Sequence, residues 1–184
     1  MIVDNFTYSE YCTLPDTEKE EFATAIRFAK NLQKKDYIGD RDIDEWSFAD
    51  VKELMQYAEN GDGEGFTKYV IENVQGYGAD KLMQSRAYEV LLTFAHITEK
   101  IGQMIETEQT TLVAPIEGAT RVALGQVDFS MFGYYPQLLE LANNDPTKID
   151  EVSRMKYCDA YTFLYYNTKK TELERAITNI YKHK

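Results

Sequence analysis

An all-α fold follows from three features of the sequence. The stretch from Ala79 to Glu108 contains no proline and one glycine, Gly102. Its apolar residues Met83, Ala87, Val90, Phe94, Ile97, Ile101 and Met104 alternate spacings of four and three, a heptad-like seam. Four prolines and ten glycines in 184 residues are too few for the many turns of an all-β chain. Helix-start signals also stand directly before apolar stripes at Thr17 and Ser47. A helix over about 79–108 rises roughly 45 Å, against a radius of gyration of roughly 16 Å for a compact chain of this length. The expected architecture is a helical bundle around this long central helix.

Residues 1–14 carry Phe6, Tyr8, Tyr11 and Leu14 among polar neighbours and receive no assignment. A first helix is expected over about 17–34, with Thr17 and Glu20 as a capping box and Phe22, Ala25, Ile26, Ala29 and Leu32 on one face. Asp36–Glu45 is an acidic loop. Ser47, with Asp50 three residues on, opens a helix over 47–59 whose stripe is Phe48, Val51, Leu54, Met55 and Ala58. The glycine-rich turn Gly61–Gly65 leads to a shorter helix carrying Phe66, Tyr69, Val70 and Val74. These three helices pack along the central one within the subunit, which makes it the spine of a bundle and buries Phe94 and Ile97.

The pattern changes after Glu108. Residues 109–118 are rich in β-branched residues and contain Pro115, so an extended connector is expected there, separating an N-terminal bundle (1–108) from a helical C-terminal region (119–184) packed on it. In that region Ala119–Phe129 forms a short helix broken at Gly125, and Leu138, Leu139 and Leu141 mark another. Asn143–Pro146 ends it. Tyr157, Tyr161, Leu164 and Tyr165 then continue an apolar face, Asn167 and Thr168 loosen it, and Leu173, Ile177 and Ile180 resume it. No internal repeat is evident.

Composition excludes several functions. The net charge of −11 opposes a nucleic-acid-binding role, because phosphate contacts need accumulated Lys and Arg. The charge is uneven: residues 154–184 hold seven basic and three acidic residues, a balance of +4 against −15 for residues 1–153. Either the two regions attract one another, within or between chains, or both are ordinary solvated faces. The two cysteines, Cys12 and Cys158, fit no metal or redox spacing, and neither an export signal nor a membrane span is read from the sequence.

The search for chemistry is negative. Asp40, Asp42 and Asp44 alternate as in a calcium loop, but Glu45 stands where the turn needs glycine and Val51 where it needs glutamate. Gly61–Gly65 lacks the Gly-Lys-Ser/Thr of a phosphate loop. His96 and Glu99 have metal-ligand spacing without a second copy, and His183 stands at the end of the chain. No cofactor, metal or catalytic residue is assigned, although distant carboxylates could still meet in the fold.

Phe132-Gly133, Leu138–Ala142, Asn144-Asp145, Lys148-Ile149, Glu151-Val152 and Tyr157 together resemble the helical C-terminal portion of small tail-assembly or virion-structural proteins of tailed bacteriophages. The resemblance covers about a fifth of the chain. It implies a non-enzymatic ring, connector or tail-assembly protein that binds other phage structural proteins as a homo-oligomer or ring component, in the virion or in the host cytoplasm during assembly; from the charge and the lack of a long apolar run, binding to nucleic acid or membrane is not expected. A regulatory adaptor for a single protein, and a carboxylate- or metal-dependent enzyme, are the competing classes. The chain holds fourteen tyrosines, nine phenylalanines and one tryptophan, residues suited to interfaces. The interface candidates are Trp46, Phe132, Tyr134, Tyr135, Tyr166, Lys169 and Lys170, with Tyr157, Tyr161 and Leu164 assigned to the core.

Overall fold

The computed structural model describes residues 6–28, 43–74, 78–112 and 130–182. They form nine α-helices and no strand: α1 (Tyr8–Cys12), α2 (Asp16–Phe28), α3 (Phe48–Glu59), α4 (Gly63–Tyr69), α5 (Ala79–Gln84), α6 (Ala87–Thr111), α7 (Tyr135–Leu141), α8 (Ile149–Ser153) and α9 (Tyr157–Lys182). A π turn, Val70–Val74, extends α4. The fold is all-α. By contacts the chain divides into two compact units interleaved in sequence, 1–43 with 57–102 and 44–56 with 103–184.

One device organises each unit. In the first, Thr7 pairs in an antiparallel bridge with Arg86. The Tyr8 N–H donates to the Ser85 carbonyl at 2.8 Å, and the Ala87 N–H donates to the Phe6 carbonyl at 2.7 Å. In the second, Ser47 pairs with Lys156, the Phe48 N–H donates to Met155 at 2.7 Å and the Tyr157 N–H to Trp46 at 3.0 Å. The four donors are the first residues of α1, α6, α3 and α9, positions whose N–H has no partner inside its own helix. Each bridge therefore satisfies two helix starts at once. Two positive helix ends meet there, and each of the four helices carries a carboxylate at its third residue: Glu10, Glu89, Asp50 and Asp159. Thr7 and Ser47 complete the device as capping residues. Their hydroxyls accept from the Glu10 N–H at 3.3 Å and the Asp50 N–H at 3.1 Å. Phe6-Thr7-Tyr8-Ser9-Glu10 and Trp46-Ser47-Phe48-Ala49-Asp50 share one pattern, so the chain does contain a short recurring motif.

The first bridge corrects the expected central helix. The chain is extended at Ser85 (φ −71°, ψ 158°), and the 79–108 segment becomes α5 and α6. No glycine or proline marks the break; pairing with Phe6–Tyr8 imposes it. At its other end α6 continues to Thr111, so residues 109–111 are helix and the beginning of the expected connector is not extended. The Ala119–Phe129 helix, the Asp40 and Asp42 carboxylates and the end of the first expected helix lie outside the described residues.

In the first unit Ile71, Leu82 and Val90 form a buried cluster against which Tyr8 and Phe94 pack. Ile97 is fully buried and Phe94 only partly so. Phe22 of α2 lies 5.7 Å from the Phe6 ring and 5.6 Å from that of Tyr11. The glycine turn joins α3 to α4: Gly61 adopts φ +69°, and the Asp62 side chain accepts from the Gly65 N–H. In the second unit α7 packs on α9 and on α8. Buried residues there are Phe48, Val51 and Leu54 of α3, Leu138 of α7, and Ala160 and Leu164 of α9. Asn143 and Asn144, both at positive φ, end α7, and α9 runs through Asn167 and Thr168 without loosening.

Ile97→Ala is expected to cost about 2–5 kcal/mol, and Ser47→Ala about 1 kcal/mol, in denaturant unfolding. An unchanged unfolding midpoint for Ile97→Ala contradicts the packing described.

Candidate protein-interaction site

The expected interface residues separate into interior and surface groups. Trp46 is fully buried and belongs to the core, a correction of its expected surface role. Its size and flat ring fill interior space, and its carbonyl is used by the bridge to Tyr157. Tyr134 is half-buried: its hydroxyl donates to Glu53 Oε1 at 2.9 Å, and its ring meets Phe48 edge-on at 6.2 Å. Phe132 and Tyr135 are exposed, as is Met131 beside them. The turn leading into α7 depends on Gly133, at φ +50° against Gln56.

The second unit also holds a buried polar cluster that sequence reasoning missed. Lys52 and Glu108, 56 residues apart, form an ion pair with side-chain exposures of 7% and 11%. The Tyr157 hydroxyl donates to the other Glu108 oxygen at 2.8 Å. Lys52 also sits 5.4 Å from the centre of the Phe48 ring. From Phe48 a ladder of stacked rings passes through Tyr157, Tyr161 and Tyr165, with centroids 6.3, 6.1 and 6.1 Å apart. Lys169 caps the far end, 5.6 Å from the Tyr165 ring, and pairs with Glu172 at 2.8 Å. Burial, reinforced by the neighbouring Glu108, pushes the Tyr157 phenol well above its ordinary value. Burial, with the hydrogen bond to Glu53, pushes Tyr134 up to about 12. Phenols with a raised pKa are poor acids, and the cluster holds its protons for structural hydrogen bonds.

The surface group lies on α9. Tyr157, Ala160 and Leu164 face the core, and at about 100° per residue Thr168, Thr171, Arg175 and Thr178 fall within about 40° of Leu164 round the axis. The core-facing side thus turns polar after Leu164. Phe163, Tyr166, Lys170, Leu173, Ile177 and Ile180 all lie between about 160° and 260° from Leu164, so the apolar stripe changes sides. Phe163 is 43% exposed, Tyr166 64%, Leu173 61%, Ile177 44% and Ile180 61%. Lys170 stands within this stripe, 4.0 Å from Glu174. Of the expected interface residues, Tyr166, Lys169 and Lys170 are brought together here. Leu173, Ile177 and Ile180, expected to resume the apolar face of Tyr157 and Leu164, are surface residues on another side of the helix.

His96 and Glu99 lie on α6, and His183 falls outside the described residues. Among the described residues no group of three His, Cys, Asp or Glu side chains is arranged to hold a metal ion, and no helix is long and apolar enough to cross a membrane. Comparison with family models, with curated proteins and with solved structures finds no match to the chain. The fold therefore defines the class, an all-α protein built on two bridged helix starts, and the surface of α9 defines its candidate site.

Two outcomes test the buried cluster. Lys52→Met leaves Glu108 buried without its cation and is expected to cost about 3–5 kcal/mol, whereas Lys52→Met with Glu108→Leu costs less; a double variant as unstable as the single one contradicts the pairing. Phenols whose pKa is raised by folding stabilise the protein fully below the ordinary tyrosine pKa and lose that contribution as pH rises. For Tyr134 the window runs from 10.0 to about 12. In an alkaline absorbance titration, Tyr134 and Tyr157 are expected to ionise above the ordinary tyrosine value, together with the loss of helical circular dichroism.

Proposed function

We propose that the protein is a non-enzymatic assembly module that binds other proteins through the distal part of α9. The observation that carries this reading is the change of side by the apolar stripe: the core-facing side becomes Thr168, Thr171, Arg175 and Thr178 while Leu173, Ile177 and Ile180 face away. A helix is stabilised in water mostly by packing an amphipathic face, and the last turns of α9 gain little of this from their core-facing side. An apolar stripe displayed on the outward side is suited to a partner. The buried Lys52–Glu108–Tyr157 cluster supports the non-enzymatic reading, because its groups hydrogen-bond one another and its phenol is shifted away from reactivity.

The finer reading, which rests on the resemblance of residues 129–165, is a structural or tail-assembly protein of a tailed bacteriophage acting on other virion proteins. Phe132 and Tyr135, with Met131, offer a second apolar contact in that stretch. The test follows the tagged protein in cells producing the particles, by sedimentation and crosslinking. It is expected in particles or assembly intermediates, and Leu173→Asp with Ile177→Asp is expected to remove it from them without unfolding it. A protein that never accompanies particles or intermediates contradicts the phage reading. A monomer that crosslinks through α9 to one cellular protein replaces it with the adaptor reading.

A further inference from the structure

We infer that the outward stripe of α9 pairs with the same stripe of a second copy, in parallel and in register, as a short two-stranded coiled coil. This rests on the reading of α9 as a binding surface and names its partner. The residues Phe163, Tyr166, Lys170, Leu173, Ile177 and Ile180 follow one another at spacings of three, four, three, four and three. That is the 3.5-residue repeat of a coiled-coil seam, with Phe163, Lys170 and Ile177 at the a positions and Tyr166, Leu173 and Ile180 at d. Ile177 at a beside Leu173 at d is the combination that favours two parallel strands, and a single lysine at a fixes register and strand number at some cost in stability. Lys170 fills that role, and the nearby Glu174 carboxylate lowers the cost of placing two lysines in one layer.

The flanking positions select both the partner and its direction. The g residues are Thr162, Lys169 and Ala176, and the e residues are Asn167, Glu174 and Tyr181. In a parallel pair each g residue faces the e residue five positions on in the other chain. That places Thr162 by Asn167, Lys169 by Glu174 and Ala176 by Tyr181: polar with polar, cation with anion, apolar with apolar. Symmetry repeats each pair. In an antiparallel pair e faces e, and the pairing centred on this seam sets Glu174 against Glu174. Lys169 pairs with Glu172 beside its contact with the Tyr165 ring, and Glu174 with Lys170; both ion pairs are exposed ones within the helix, and such pairs exchange partners at little cost. Because the seam faces away from the Leu164 side, two copies can meet along it without disturbing the packing of α9 on its own unit.

The full-length protein, carrying Cys12→Ser and Cys158→Ser to remove its two exposed thiols, is measured by sedimentation equilibrium over a range of concentrations. The mass is expected to rise from 21.3 kDa toward twice that value. Leu173→Asp with Ile177→Asp is expected to hold it at the monomer mass with its cooperative unfolding retained. Lys169→Glu is expected to weaken association by about tenfold, and Lys169→Glu with Glu174→Lys to restore it. Leu173→Cys is expected to form an intersubunit disulfide under mild oxidation. A monomer at every concentration, or a dimer indifferent to the Leu173 and Ile177 changes, overturns the proposal. A dimer in which the charge exchange restores nothing and Leu173→Cys fails to link overturns the parallel register. If the protein is monomeric yet the Leu173 and Ile177 changes still release it from particles, the assembly reading stands and the second copy is not its partner.

Discussion

The fold depends on the meeting of helix starts in pairs. A helix N-terminus presents unsatisfied N–H groups and a partial positive charge, and bringing two together is unfavourable unless both problems are solved at once. Here the Thr7–Arg86 and Ser47–Lys156 bridges exchange the first N–H of each helix for a carbonyl of the other. Carboxylates at the third residue of all four helices answer the charge. Because the paired segments are 79 and 109 residues apart, these few hydrogen bonds settle where α6 and α9, the two longest helices, begin. The interleaved division of the chain into units follows from the same pairing, since each bridge joins an early segment to a late one.

The second bridge also sets the chemistry of its unit. By starting α9 at Tyr157 it places that ring on Phe48 and that hydroxyl on Glu108, which in turn holds Lys52. The stacked ladder through Tyr161 and Tyr165 repeats the four-residue spacing up the helix until Lys169 closes it. Above that point nothing apolar remains on the core-facing side, and the outward stripe takes over. The tyrosine-rich composition thus has a definite use: rings at four-residue spacing carry α9 from a buried base to its exposed end.

Much of this was legible in sequence, and the remainder failed for physical reasons. The Ser47–Asp50 cap, the α3 stripe of Phe48, Val51 and Leu54, and the glycine turn are local signals, and the structure contains each of them. The break at Ser85 was illegible because no local residue causes it; a strand-like contact with Phe6–Tyr8 does, and the seam through Met83 and Ala87 reads on across it. Trp46 reads as a surface residue on the chemistry of its ring alone, which suits a core equally well. Lys52 and Glu108 lie too far apart in sequence to suggest a pair. Leu173, Ile177 and Ile180 read as a continuation of the Leu164 face because their spacing is helical. Spacing alone does not say which side of the helix they occupy; their angle relative to Leu164 does, and that comparison needs only the sequence and the helix repeat.

The central claim is that α9 is held by its own chain at its base and by a partner along its outward stripe. Backbone amide exchange along α9, followed as a function of protein concentration, measures this most directly. Residues 157–168 are predicted to show concentration-independent protection, while residues 170–182 exchange quickly in dilute protein and gain protection as the concentration rises. Equal, strong protection of both halves in dilute monomer would contradict the account, since the chain itself would then cover the stripe.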